Sequence, residues 1–166
     1  MNTENQTITP ATRKRLQIQG YVNFSDKELS DHRFGIRFAY WACIMLVMAG
    51  LVMANVSVLT AAAGVAFLGA VLPYHPFDYL YNYGGIRNML GRPKLPPRTN
   101  QGRFNCGLAS VWLAAIIYFF TSNQPLIANI LGVMLVAVGL LVSSTDVCIP
   151  SMMYNLLARN KTSQAK

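Results

Sequence analysis

The segment Tyr74–Arg103, YHPFDYLYNYGGIRNMLGRPKLPPRTNQGR, stands between two long tracts that carry no charged side chain, Phe38–Phe77 and Phe104–Thr145. Each tract is roughly 40 residues, about twice the ~20 that an α-helix needs to cross a bilayer. The pattern predicts an all-α membrane protein with four transmembrane helices arranged as two helical hairpins and interfacial segments on the cytoplasmic side. Composition agrees: of 166 residues, 53% are hydrophobic and only 12% charged, too few for the ionic surface of a soluble domain of this size.

Outward from that segment, the chain reads as one membrane domain. Residues 1–35 form an N-terminal tail and an interfacial helix, 36–73 a first hairpin, 74–103 a loop, 104–146 a second hairpin, and 147–166 a C-terminal interfacial helix and tail. Up to about Gly20 the tail is polar, contains Pro10 and the basic triplet Arg13, Lys14 and Arg15, and is expected to be mobile near anionic headgroups. Ser25 followed by Glu28 has the spacing of a capping box that opens the interfacial helix. His32 lies between Asp31 and Arg33 as an ordinary exposed histidine.

Charge sets the topology. All 14 Lys and Arg residues fall before or at the very start of the first span (Arg37), in the central loop or in the C-terminal tail. The short turns near Asn55 and Asn123 carry none. The positive-inside rule then puts both termini and the central loop in the cytoplasm, with the protein in a bacterial inner membrane. The formal charge of +8 is therefore read as a topology signal and a match to anionic lipid. Nucleic acid is not an expected partner, because no basic face is interleaved with aromatics. Within the spans, Ala62, Ala66 and Ala70 recur every four residues, as do Cys106, Ser110 and Ala114, while Gly132 and Gly139 lie seven apart. Such stripes allow close helix approach.

Candidate chemistry gathers at the cytoplasmic side. His75 and Asp78 are three apart and can meet on one helix face, as a structural pair or as half of a metal site whose other ligands only Asp146 or Cys148 could supply; the structural pair is preferred and no metal is expected. Tyr79 and Tyr81 belong to an aromatic run expected to lie in the headgroup layer with its polar tips toward water. Arg92, Pro93, Pro96, Pro97 and Arg98 make an extended basic strap. Asp146, at the end of the fourth span, is expected to pair with a loop arginine such as Arg103. Pro150 opens the last helix, with Met152, Met153, Leu156 and Leu157 toward lipid and Asn155, Arg159 and Lys161 toward water. Cys148, close to that helix's N-terminus, is the candidate thiol, since such a position lowers a thiol pKa. No cofactor is predicted, and the three cysteines form no zinc spacing.

The order of HPFDYLYN, GRPKLPPR, RFNCGLASVW and TDVCIPSMMYNLL, from about Pro73 to Leu157, resembles an uncharacterised family of bacterial four-helix integral membrane proteins, a domain of unknown function. In layout it is more distantly similar to DoxD/DoxX-like proteins, some of which are linked with sulfur and thiol chemistry. That resemblance implies a four-helix membrane fold. Some relatives end the fourth span with C-x-x-C, where this chain has Cys148 and Ser151 and lacks the resolving thiol of a dithiol mechanism.

Three functions follow as expectations. The first is a non-catalytic accessory or assembly subunit that docks on other membrane subunits through small-residue helix faces and the aromatic, proline-rich loop. The second is a thiol or sulfur relay through Cys148. The third, a small transporter, has less behind it, because the spans lack the polar or broken midplane helices such proteins use.

Overall fold

The computed structural model describes residues 8–164, with side chains over residues 8–158, and among these every regular element is helical. In chain order the helices are α1 (Pro10–Ile18), α2 (Asp26–Val52), α3 (Val56–Val71), α4 (Pro76–Tyr83), α5 (Ile86–Met89), α6 (Asn100–Thr121), α7 (Pro125–Thr145) and α8 (Ile149–Gln164).

Helices α2, α3, α6 and α7 close a ring in which each packs on two neighbours: α2 on α3, α3 on α6, α6 on α7, and α7 back on α2. Helices α2, α6 and α7 are each long and apolar enough to cross a membrane, and α3 qualifies only together with α4, across a break bent by 81°. With 16 residues, α3 reaches only about 24 Å at 1.5 Å per residue, short of a hydrocarbon core of about 30 Å. The chain thus carries three to four membrane-spanning candidates, as a multi-pass membrane protein does.

The small-residue stripes pack as their spacing suggests except at Ala114, which is exposed. Ala62 and Ala66 are buried in the bundle core with Val47, Leu59, Leu113, Ile116 and Ala128, and Ser110 donates to the Ala63 carbonyl across the α3–α6 contact. Gly132 and Gly139 both face α2: a Cβ at Gly132 would run into the Leu51 side chain, and one at Gly139 would lie 2.9 Å from Ile44 Cγ1.

A second core sits at the end of the bundle where the basic residues collect. It joins Leu16 of α1, Leu29 and Ile36 of α2, Tyr81 of α4 and Leu95 of the proline strap with Tyr21. This core corrects the expectation of a mobile tail as far as residues 8–20 are concerned. Thr9 caps α1, Pro10 stands in its first turn, and Leu16 is fully buried. Polar side chains finish the attachment: Arg15 donates to the Thr145 carbonyl, Gln19 to the Asp146 carbonyl, and Asn155 of α8 to the Ile18 carbonyl. One fully buried apolar residue, Leu16, in a mostly polar helix leaves little hydropathy signal, which is why the sequence reads there as a tail.

The interfacial helix and the first span are one element. The capping box of Ser25 and Glu28 is present, but the helix it starts runs without interruption to Val52, because no proline stands in it and the pairs formed by Arg33 and Arg37 brace its polar turns. The side chains of Arg159 and Lys161 lie outside the described residues; Met152, Met153, Leu156 and Leu157 of α8 are exposed as expected.

Candidate functional site

Helix α4 begins with a reciprocal cap. The His75 N–H donates to Asp78 Oδ2 at 3.0 Å, while the Phe77 N–H donates to His75 Nδ1 at 3.3 Å. His75 and Asp78 therefore meet, but through backbone and cap instead of ring to carboxylate. The cap fixes the tautomer as well: an Nδ1 that accepts leaves the ring proton on Nε2, and Nε2 faces Cys43 Sγ at 3.6 Å.

Asp78 also anchors the strap. Arg98 grips it with two parallel bonds, Nε to Oδ2 at 2.6 Å and Nη2 to Oδ1 at 2.8 Å, and the two side chains are 4% and 2% exposed. Burial alone would push the guanidinium down, and the carboxylate beside it more than reverses this, holding Arg98 above its ordinary value. Such a fork is the geometry in which arginine and carboxylate bind most specifically. The strap itself is built into the fold, since Leu95 is buried, the Leu95 N–H donates to Asn82, the Arg98 N–H donates to the Pro73 carbonyl, and Arg92 reaches the Asp31 carbonyl and stacks on Phe34. Pro93, Pro96 and Pro97 keep this stretch extended, without a helix.

Asp146 does not meet Arg103. Its carboxylate takes Arg33 at 2.7 and 3.0 Å and Arg37 at 2.7 and 2.8 Å, two arginines one turn apart on α2. The reason lies at the end of α7. Asp146 caps it in the left-handed conformation, φ 60°, which aims the carboxylate at α2; the cations also gather where the helix dipole is negative, and Arg37 donates to the Ser144 carbonyl. Arg103 caps the other short helix, donating to the Ala70 and Val71 carbonyls at the end of α3.

Two further expectations are corrected. Tyr81 does not point to water; it is fully buried, and its hydroxyl has no partner among the described residues. Helix α4 buries Asp78, Tyr81 and Asn82 on one face and exposes Tyr79, Leu80 and Tyr83 on the other, a division set by the helical period that a flat aromatic run hides. Cys148 does stand at the N-terminus of α8, its carbonyl accepting from the Met152 N–H at 3.2 Å, but burial opposes the activation expected there. It is 1% exposed, and burial pushes its thiol up despite hydrogen bonding to Ser151. Pro150, as expected, lies buried in the first turn of α8.

Cys106, on the small-residue stripe of α6, and Cys43 of α2 come to one place. Gly69 of α3 is the pivot: a Cβ there would strike the His75 ring and lie 3.1 Å from Cys106 Sγ. Both thiols are free. Together with His75 and Arg98 they line a cavity of about 100 Å³ between α2, α3, α6 and α7. No sequence spacing points to this cluster, because its members come from three helices and a cap.

The ring of apolar helices and its braced basic end define a helical multi-pass membrane protein with an internal thiol–imidazole pocket. The family described as a domain of unknown function (DUF4395) matches residues 32–159, and the chain belongs to that family. No curated protein and no solved structure is significantly similar to the chain.

Proposed function

We propose that the chain is a non-catalytic subunit of a larger inner-membrane complex, with α2, α3, α6 and α7 as four spans in two hairpins, both termini in the cytoplasm, and a docking surface on the cytoplasmic side. The observation that carries this reading is an apolar ridge beside the basic residues: Tyr79, Leu80, Tyr83, Met89 and Leu90 are 40%, 49%, 68%, 89% and 46% exposed. Acyl chains cover the apolar faces of the spans, but this ridge lies next to Arg87, Arg92 and Lys94, at headgroup level, where a protein partner covers it best. The ridge is also ordered in advance, since Tyr79 stacks on Tyr83 and Lys94 donates to the Tyr83 hydroxyl at 2.6 Å. Preorganisation lowers the entropic cost of docking.

The strap is a poor place to test this, because removing Leu95 and Arg98 takes away core and clamp together. Replacing Met89 and Leu90 with glutamate spares both. Expected is loss of the proteins that co-extract with the native chain in mild detergent, with membrane insertion unchanged. An unchanged set of co-extracted proteins would refute docking through the ridge.

A second reading, thiol relay, moves from Cys148 to Cys43. Its support is geometric: the His75 Nε2–H faces Cys43 Sγ at 3.6 Å and can donate to a thiolate there against the desolvation that burial imposes, as it does at Cys148, with Cys106 beside it. Under this reading Cys43→Ser abolishes any transfer of sulfur label to the protein while Cys148→Ser leaves it intact, and the reverse pattern would return the role to Cys148.

A further inference from the structure

Three cations border the apolar ridge of α4 and α5, and none of them meets a carboxylate among the described residues. The Arg87 side chain makes no hydrogen bond there, and its Nε is shielded from water without a partner. Arg92 spends only Nη1, on the Ser30 and Asp31 carbonyls at 3.5 and 3.3 Å. Lys94 gives one proton to the Tyr83 hydroxyl and lies over that ring, 4.7 Å from its centre. The cations are thus folded along the ridge with donors to spare, and the charges of Arg92 and Arg87 both act on the buried Tyr81 hydroxyl.

The chain itself has little to offer these cations, from the same copy or from a second one. Five of its six acidic residues are described, and four of those are committed: Asp26 to Arg13, Glu28 to the Ser25 cap, Asp78 to Arg98, and Asp146 to Arg33 and Arg37. With a formal charge of +8, two copies repel each other. A lipid phosphate would meet the cations and leave the ridge bare, since Tyr83 and Met89 are 68% and 89% exposed at a level that acyl chains do not cover. One occupant answers both needs: a protein surface that is apolar along its middle and acidic at its edges. Its form follows from the neighbouring strap, where Pro93, Pro96 and Pro97 remove N–H donors, so a partner does not pair there as an added strand. A helix carries its own hydrogen bonds and lays an apolar stripe on such a surface.

We propose that the ridge seats an acidic amphipathic helix of the partner subunit, its apolar stripe on Tyr83, Met89 and Leu90 and its carboxylates on Arg87, Arg92 and Lys94. This rests on the docking reading above and adds the chemistry of the partner.

The test places the photocrosslinking residue benzoylphenylalanine at Met89 of the full chain, irradiates native membranes, and sequences the crosslinked segment by mass spectrometry. Expected is a segment whose apolar residues recur three or four apart, with at least two Asp or Glu flanking them; capture of a protein is not enough. Arg87→Gln together with Lys94→Gln should lower the crosslinking yield about threefold or more, because charges at the rim steer docking. Lys14→Gln, which removes an exposed charge on α1, should leave the yield unchanged. A crosslinked protein segment without flanking carboxylates, a yield that the double variant leaves unchanged, or one that falls equally with Lys14→Gln would overturn the acidic partner and leave docking through the ridge standing. Crosslinks to lipid alone would overturn both.

Discussion

The two ends of the bundle are held by opposite means. At the basic end, one carboxylate is buried with one arginine, Asp78 with Arg98, and a second, Asp146, is shared between Arg33 and Arg37. At the other end the turns Met53–Asn55 and Ser122–Gln124 carry no charge, and the chain closes them with backbone geometry and one cap, Asn55 Oδ1 accepting from the Ser57 and Val58 N–H groups. Charge is concentrated where long, irregular segments must be fixed over the helix ends. Where the connection is three residues long, the chain is already constrained and needs none.

That contrast can be broken most severely at Asp78. Asp78→Leu leaves Arg98 charged and buried without its partner, and a loss of about 3–5 kcal/mol is expected, read as a fall in the thermal unfolding midpoint in detergent. Replacing both, Asp78→Leu with Arg98→Met, should recover much of it; no recovery would mean that the strap depends on the pair for more than charge balance.

Next in size is Leu16→Ala, expected to cost about 2–5 kcal/mol as a fully buried leucine and to release α1 to proteolysis without disturbing the rest of the bundle. Equal protease resistance in the variant would remove α1 from the structural core.

Asp146 sharpens the comparison. Its arginines are 37% and 24% exposed, so water takes over part of what Asp146→Asn removes, and a loss of about 1–3 kcal/mol is expected. Arg33→Ala alone should cost under about 1 kcal/mol, since Arg37 remains and exposure screens the pair. A loss at Asp146 as large as that at Asp78 would show that burial is not what separates the two clamps.

The smallest effect belongs to the uncharged end. Ala54 has φ 45°, a left-handed conformation that costs an L-residue about 1 kcal/mol, so Ala54→Gly should raise stability by roughly 0.5 kcal/mol in the same unfolding assay. A decrease would place the control of that turn elsewhere. Cys148 offers a test without mutation. With its thiol pushed up by burial, maleimide labelling at neutral pH should be slow and should speed up only on unfolding; fast labelling of the folded protein would contradict the packing at the start of α8.

Particular residues show how much was legible. Ser25 and Glu28 announced the start of α2, and Gly132 and Gly139 the close face of α7, because caps and glycines act within one or two turns and leave a local signature. His75 and Asp78 were legible as a pair, since they are three apart, but not as the cap of a helix whose carboxylate holds Arg98. The partner of Asp146 was misread because sequence offered several arginines and no way to choose; the left-handed turn at Asp146 and the one-turn spacing of Arg33 and Arg37 made the choice. Cys43 and Cys106 could not be recognised as neighbours at all, separated as they are by a hairpin turn, α3 and the whole loop.

Hydrophobicity and charge, which are sums over a segment, were enough by themselves to determine that this is a helical membrane protein with its charge gathered at one end. The pairing of each carboxylate, the docking of α1 by a single leucine, and the meeting of two thiols, an imidazole and a cavity were decided only in the tertiary structure. Each depends on a few directional contacts between residues far apart in the chain, and no local sum records direction.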